Sequence, residues 1–192
     1  MDGISESALP EGAFEHDRSR EAFEALVEAY QDRLVRYAFR RLGDIHDAED
    51  VVQDVFVRVF RDWAGGGRIR RIGPYLYRVA ANACTDLLRK RMRKRRHTGA
   101  AEDVIDVQEM PAAGPDAAEL AAAADELQRI GALLARLPER QAEVVRLRCL
   151  DGLCFAEIAE VVGCRLSTAK SRFRYGLRKL RWFLTGQSEV QR

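Results

Sequence analysis

The stretch "DAEDVVQDVFVRVFR", Asp47 to Arg61, constrains the fold of this chain more than any other. Val51, Val52, Val55, Phe56, Val59 and Phe60 recur at helical spacing, about 100° per residue, and share one broad side. Asp47, Asp50 and Asp54 fall together roughly opposite. A helix of this kind must bury its valine side against neighbouring helices, so its three acids face something other than their own core.

The flanking sequence supplies those neighbours. Phe23, Leu26, Val27, Tyr30, Leu34, Tyr37 and Ala38 stand at helical spacing, and Gly43 with Asp44 closes that helix. An aspartate cap near Asp44 or Asp47 begins the next one. The run "AGGGRIRRIGP" then interrupts helix, because successive glycines disfavour it, and Pro74 fits the first turn of a third helix. That helix buries Leu76, Val79, Ala80, Ala83 and Leu87 and ends in "RKRMRKRR".

A chain of 192 residues allows one ordinary domain or two small ones, and the charge pattern favours two. Residues 98–128 hold eight of the 30 acids and no lysine or arginine, which leaves 22 acids against 32 cations elsewhere. The chain therefore reads as two basic modules joined by an acidic, alanine-rich tether. The expected division is an N-terminal tail over 1–17, a first helical module over 18–97, a linker over 98–124, a second module over 125–184 and a tail over 185–192. The fold class is all-α, two small helical domains on a flexible acidic linker.

In the second module Leu133, Leu134 and Leu137 precede Pro138, which starts a helix whose stripe is Val144, Val145, Leu147 and Leu150. A turn at Asp151-Gly152 leads to a short helix from Phe155 to Val162, stopped by Gly163. Ser167 is the expected cap of the last helix, with Leu166, Ala169, Phe173, Leu177, Leu180 and Leu184 as its inner stripe. Two helices, a tight turn after glycine and small Ala159 at the crossing make helix-turn-helix grammar. Ser167, Thr168, Ser171, Arg174, Tyr175 and Arg178 point outward with Lys170 and Arg172 on the flanks, hydroxyls and cations suited to a DNA major groove.

In the first module Asn82, Asp86, Arg89 and Arg93 recur along one face, an amide leading into a phosphate-binding strip. Tyr75 and Tyr77 stand beside the basic loop, where aromatics with cations suit unstacked single strands; each is equally readable as a core residue. The three aspartates also admit a magnesium-dependent transferase or nuclease, but no second acidic helix and no phosphate-cradling glycine loop accompanies them. Docking of a basic partner accounts for the same carboxylates without missing ligands.

The cysteines Cys84, Cys149, Cys154 and Cys164 form no CxxC pair and lie far from the histidines, so no structural zinc is expected. Cys149 and Cys164 read as small buried hydrophobes, with a redox pair as the alternative. No metal or cofactor is expected. No apolar run approaches the roughly 18 residues of a membrane span, and the acidic start lacks a signal peptide's order, so no membrane insertion and a cytoplasmic location are expected.

"DAEDVVQDVFVRVFR", "YLYRVAANACTDLLRKR" and "LPERQAEVVRLRCLDGLCFAEIAEVVGCRLSTAKSRFRYGLRKLR" together resemble regions 2 and 4 of bacterial RNA polymerase sigma factors, in the minimal two-domain extracytoplasmic-function (ECF) group. The resemblance implies that Asp47, Asp50, Gln53 and Asp54 bind core RNA polymerase at the beta-prime clamp coiled coil, with the beta subunit as a further contact. It implies that Arg68, Arg70, Arg71, Tyr75, Asn82, Asp86, Arg89 and Arg93 meet the melted minus-ten element. It likewise implies that Arg165, Ser167, Thr168, Lys170, Ser171, Arg172 and Tyr175 read the duplex minus-thirty-five element, and that an anti-sigma factor is a partner. Members of the group often show Trp-Leu-Tyr where this chain has Tyr75-Leu76-Tyr77. The expected function is a non-enzymatic initiation factor that directs polymerase to a two-part promoter; the alternative is a free-standing helix-turn-helix regulator acting as a dimer.

Overall fold

The computed structural model describes residues 19–65, 69–98 and 129–185. The chain divides into two compact units, Met1–Asp106 and Val107–Arg192. The expected tail over 1–17, the tail over 185–192 apart from Thr185, which ends α7, and the expected linker apart from Thr98 lie outside the described residues.

The first unit is built from α1 (Arg20–Leu42), α2 (Ile45–Ala64) and α3 (Ile72–Thr98). Ser19 caps α1 by accepting from the Ala22 amide at 3.1 Å. Gly43 takes the left-handed conformation, φ 72°, and sends its N–H to the Phe39 carbonyl at 2.8 Å, which ends α1. Asp44 then caps α2 through the Asp47 amide at 2.9 Å, so the stop of α1 at Gly43 and the cap of α2 are adjacent residues. The corner is tight because each signal occupies a single residue.

The core is the meeting of three stripes: Tyr30, Leu34, Tyr37 and Leu42 from α1, Val52, Val55 and Val59 from α2, and Leu76, Tyr77, Ala80 and Cys84 from α3, all buried. Tyr37 and Tyr77 meet edge to face at 5.3 Å. Tyr77 therefore belongs to the core and not to a nucleic-acid surface. Phe60, expected on the buried side, is 46% exposed. It lays one edge on Phe23 at 4.9 Å, while the buried stripe runs from Val59 to Trp63 beside it.

The second unit comprises α4 (residues 129–135), α5 (Glu139–Cys149), α6 (Phe155–Val161) and α7 (Leu166–Thr185). Leu134, Leu137, Ala142 and Val145 are packed against Ile130, Leu150, Phe173, Leu180 and Phe183. Gly152 and Gly163, at φ 74° and 61°, supply the left-handed turns on either side of α6. Arg146 is held between Glu139 at 3.0 Å and Glu143 at 3.3 Å, so a largely buried cation has its partners on its own helix.

Several expectations for this unit are corrected. The inner side of α7 is Ala169, Phe173, Gly176, Leu180 and Phe183, while Leu166, Leu177 and Leu184 are exposed. The cause is Gly176: the absent side chain lets α7 approach α5 so closely that an added Cβ would lie 2.8 Å from Val145 Cγ2. That approach centres the contact on glycine and turns the leucines to the edge. Helix α7 also begins at Leu166, which puts Ser167 inside the first turn instead of at the cap. Cys149 and Cys154 are exposed and Cys164 half-buried; of the four cysteines only Cys84 is a buried small hydrophobe.

Gly176→Ala tests this approach. Alanine gains about 1 kcal/mol of helix propensity, but forcing a methyl against a stiff, buried valine costs about 1–3 kcal/mol. We expect a net loss, read as a lowered melting midpoint of the second unit, with Val145→Ala in the same chain recovering part of it; a raised midpoint for Gly176→Ala alone would show that the contact is slack.

Candidate functional site

Three outward surfaces follow from how the stripes are buried. The first is the solvent side of α2. Because Val51, Val52, Val55 and Val59 turn inward, Asp50, Gln53 and Asp54 stand exposed on neighbouring turns. Val57 follows on the same side, one turn beyond Gln53 and Asp54, and is 50% exposed. Asp47 differs from its expected place. Its carboxylate pairs with Arg91 of α3, and its side chain is 29% exposed. The spacing of the aspartates signals none of this, because the partner comes from another helix.

The second surface runs along α3. Asn82, Asp86, Arg89 and Arg93 are all exposed, with Arg89 lying 3.6 Å from Asp86 one turn back. Arg70 is exposed and Arg71 half-buried just before the helix, whereas Arg68 lies outside the described residues. At the start of α3 the Tyr75 hydroxyl donates to the Asp62 carboxylate of α2, and the Arg78 guanidinium stands 5.4 Å from the Tyr75 ring. Asp62, Arg58 and Arg78 are thus grouped around Tyr75, a group that the sequence alone did not single out. Asp62 and Tyr75 meet only because the intervening loop brings the end of α2 to the start of α3.

The third surface is the first half of α7. Arg165, Ser167, Lys170 and Tyr175 are exposed, and Thr168, Ser171 and Arg172 are half-buried. Arg174 and Arg178 lie 5.5 and 5.0 Å from the Tyr175 ring. Helix α7 carries six cations and no acid, and its N-terminus adds the positive end of a helix dipole. Such an end meets phosphate favourably while its short hydroxyls remain able to reach base edges.

Among the described residues no group of three or more His, Cys, Asp or Glu side chains is placed to hold a metal ion. Asp50 and Asp54 are carboxylates on an exposed helix surface. Among the described residues no helix is long and apolar enough to cross a membrane.

Residues 26–94 match the family model of Sigma-70 region 2, and residues 127–180 that of Sigma-70 region 4. The ECF RNA polymerase sigma factor SigW of Bacillus subtilis is 26% identical over 84% of this chain and 88% of its own length. The RNA polymerase sigma-E factor of Streptomyces avermitilis is 33% identical, over 83% of each chain. This chain is an ECF-group sigma factor. The same fold occurs in the sigma factor RpoE of Bartonella quintana, solved with the anti-sigma factor NepR, at TM-score 0.67 and 20% identity over 88% of this chain and 99% of that one. It also occurs in CnrH, solved with the cytosolic domain of CnrY, at TM-score 0.65 and 24% identity over 93% and 99%.

The Tyr75 hydroxyl is held above its ordinary pKa of 10.0, first by burial, then by its hydrogen bond to Asp62 and by that carboxylate's charge; Arg58 and Arg78 pull the other way. A folded pKa raised above the unfolded one gives stability that is whole below about pH 10 and lost as pH rises through the folded value. Ultraviolet titration is expected to show Tyr75 ionising late in the wild type and earlier in Asp62→Asn. A titration that Asp62→Asn leaves unchanged would show that the carboxylate does not hold the ring.

Proposed function

We infer that this sigma factor docks on core RNA polymerase through the outward side of α2, at Asp50, Gln53 and Asp54, while Asp47, paired with Arg91 of α3, is left out of the docking set. It contacts the melted minus-ten element along α3, through Tyr75, Asn82, Asp86, Arg89 and Arg93 with Arg68, Arg70 and Arg71 of the preceding loop. It reads the minus-thirty-five duplex with α7, through Arg165, Ser167, Thr168, Lys170, Ser171, Arg172 and Tyr175. The observation that carries the reading is the pairing of unlike surfaces on one chain: an acidic side on α2, and an α7 whose charged residues are all cations. DNA repels the first and attracts the second, so the two need different partners.

A free-standing helix-turn-helix regulator leaves the α2 surface without a use, and dimeric operator binding is not favoured for a sigma-family chain. The protein carries out no catalysis of its own; the polymerase supplies the chemistry. Its place of work is the cytoplasm, on polymerase at the nucleoid. An anti-sigma factor is a fitting further partner, since RpoE and CnrH were each solved with a protein bound to them.

Asp50→Asn with Asp54→Asn removes two charges at nearly constant shape. Exposed helix charges are worth a few tenths of a kcal/mol to folding, whereas stripping one side of a desolvated interface pair costs about 2–5 kcal/mol. The double variant is expected to melt with the wild type and to bind core polymerase at least tenfold more weakly in a fluorescence titration. Wild-type affinity would remove the docking role of this side.

Lys170→Ala is expected to weaken transcription from a promoter with an upstream element and to lower the salt slope of DNA binding by about one contact. Equal loss on a template without the upstream element would place Lys170 outside the groove contact.

A further inference from the structure

Arg91 leaves α3 toward the corner between α1 and α2. One guanidinium nitrogen donates to the Leu42 carbonyl at 3.2 Å, and another pairs with the Asp47 carboxylate. Leu42 is the last residue of α1, so its carbonyl is among those that helix geometry leaves without an intrahelical amide. Asp47 lies in the first turn of α2, where the helix dipole already favours a carboxylate. A single planar fork therefore closes the outgoing end of one helix and the incoming end of the next, a task for which lysine, a point donor, is a poor substitute.

The position of Arg91 along α3 gives the contact its consequence. The last buried residue of α3 is Cys84, and among the described residues beyond it none is buried. Arg91 stands seven residues farther out, about 10 Å at 1.5 Å per residue. The exposed Arg89 and Arg93 of the phosphate strip occupy the same outer turns. Full burial thus ends in the inner half of α3, Leu87 and Leu88 are only half-buried, and polar contacts to the corner tie down the basic outer half.

We propose that the Arg91–Asp47 pair is a positioning pin that aims the outer turns of α3, and with them the minus-ten strip, relative to the side of α2 held by polymerase. The aspartates of α2 then divide in role: Asp47 acts inward on α3, and Asp50 and Asp54 act outward. The proposal rests on the docking and minus-ten assignments given above. Loss of the pin leaves docking intact but lowers the fraction of docked complexes that hold the promoter open, since strand capture needs a fixed geometry between the two helices.

The test uses the full chain with core polymerase and a promoter carrying a fluorescent base analogue in the minus-ten element. Opening is read at saturating holoenzyme, so that a change in binding does not enter. Asp47→Asn and Arg91→Gln are each expected to bind polymerase within about threefold of the wild type and to lower the opened fraction about fivefold or more. The double variant is expected to open no worse than the poorer single one, because both changes break one contact. Asp47→Glu, which keeps the carboxylate, is expected to recover opening, while Arg91→Lys stays below the wild type. A rescue by Asp47→Glu separates positioning from loss of fold, and melting of every variant is followed alongside.

If Asp47→Asn weakens polymerase binding as strongly as the Asp50 and Asp54 changes do, Asp47 is a docking residue and the proposal is overturned. Losses that multiply in the double variant would overturn it as well. If the Asp50 and Asp54 changes leave polymerase binding untouched, the docking assignment fails by itself, and a shared, non-multiplying loss of opening at Asp47 and Arg91 still supports the pin.

Discussion

Burial of the α2 valines between α1 and α3 sets the rotation of α2 about its own axis, and the exposed acidic side is a consequence of that rotation. Val52, Val55 and Val59 retain 2%, 1% and 0% of their exposure. Burying each such side chain is worth about 1.5–3 kcal/mol, whereas an exposed charge on a helix contributes a few tenths. A rotation by one residue, about 100°, would move the valines off the core to gain nothing comparable. The acids of α2 therefore do not choose their side; the valines choose it for them. Substitutions at Asp50 and Asp54 are accordingly informative about partners, because the fold has little invested in them.

The second unit obeys the same hierarchy by a different device. Its decisive contact is Gly176 against Val145, where a missing side chain, not a large one, sets the distance between α5 and α7. That contact commits one side of α7 to the core from Ala169 to Phe183 and leaves the first turns free to present Arg165, Ser167 and Lys170. Short α6 needs its own stops because seven residues give little cooperativity. Gly163 ends it on one side, and on the other Glu157 accepts from the Cys154 amide at 2.6 Å.

The helices and their order were legible in the sequence wherever the signal is local. Period, the Gly43 stop, the Asp44 cap and Pro74 near the start of α3 each act within a few residues, and the corresponding helices form there. Errors arose where a distant partner decides. The spacing of Leu166, Leu177 and Leu184 reads as a stripe until Gly176 shifts the contact toward Phe183. Tyr77 is indistinguishable from Tyr75 by type and neighbourhood, and only the edge of Tyr37 shows that it is core. The candidate surfaces were legible as faces, since a face is a matter of period. The ties between helices, Asp62 to Tyr75 and Asp47 to Arg91, were not, because no spacing rule relates residues across a loop.

Those ties also decide how the arginines of this chain are to be counted. Arg41 bonds Thr85 at 3.3 Å, Arg91 bonds the Leu42 carbonyl, Arg146 is enclosed by two glutamates, Arg148 donates to the Leu153 carbonyl at 3.0 Å, and Arg136 covers the Phe183 ring at 3.9 Å. These cations serve the fold, and a guanidinium already bonded inside displaces few counterions when DNA arrives. The salt dependence of DNA binding counts phosphate contacts, not total positive charge. Each unit therefore has a smaller electrostatic grip on DNA than its composition suggests. Carrying both units into place on one polymerase makes the second contact effectively intramolecular, and two modest surfaces can then select a promoter that neither would hold alone.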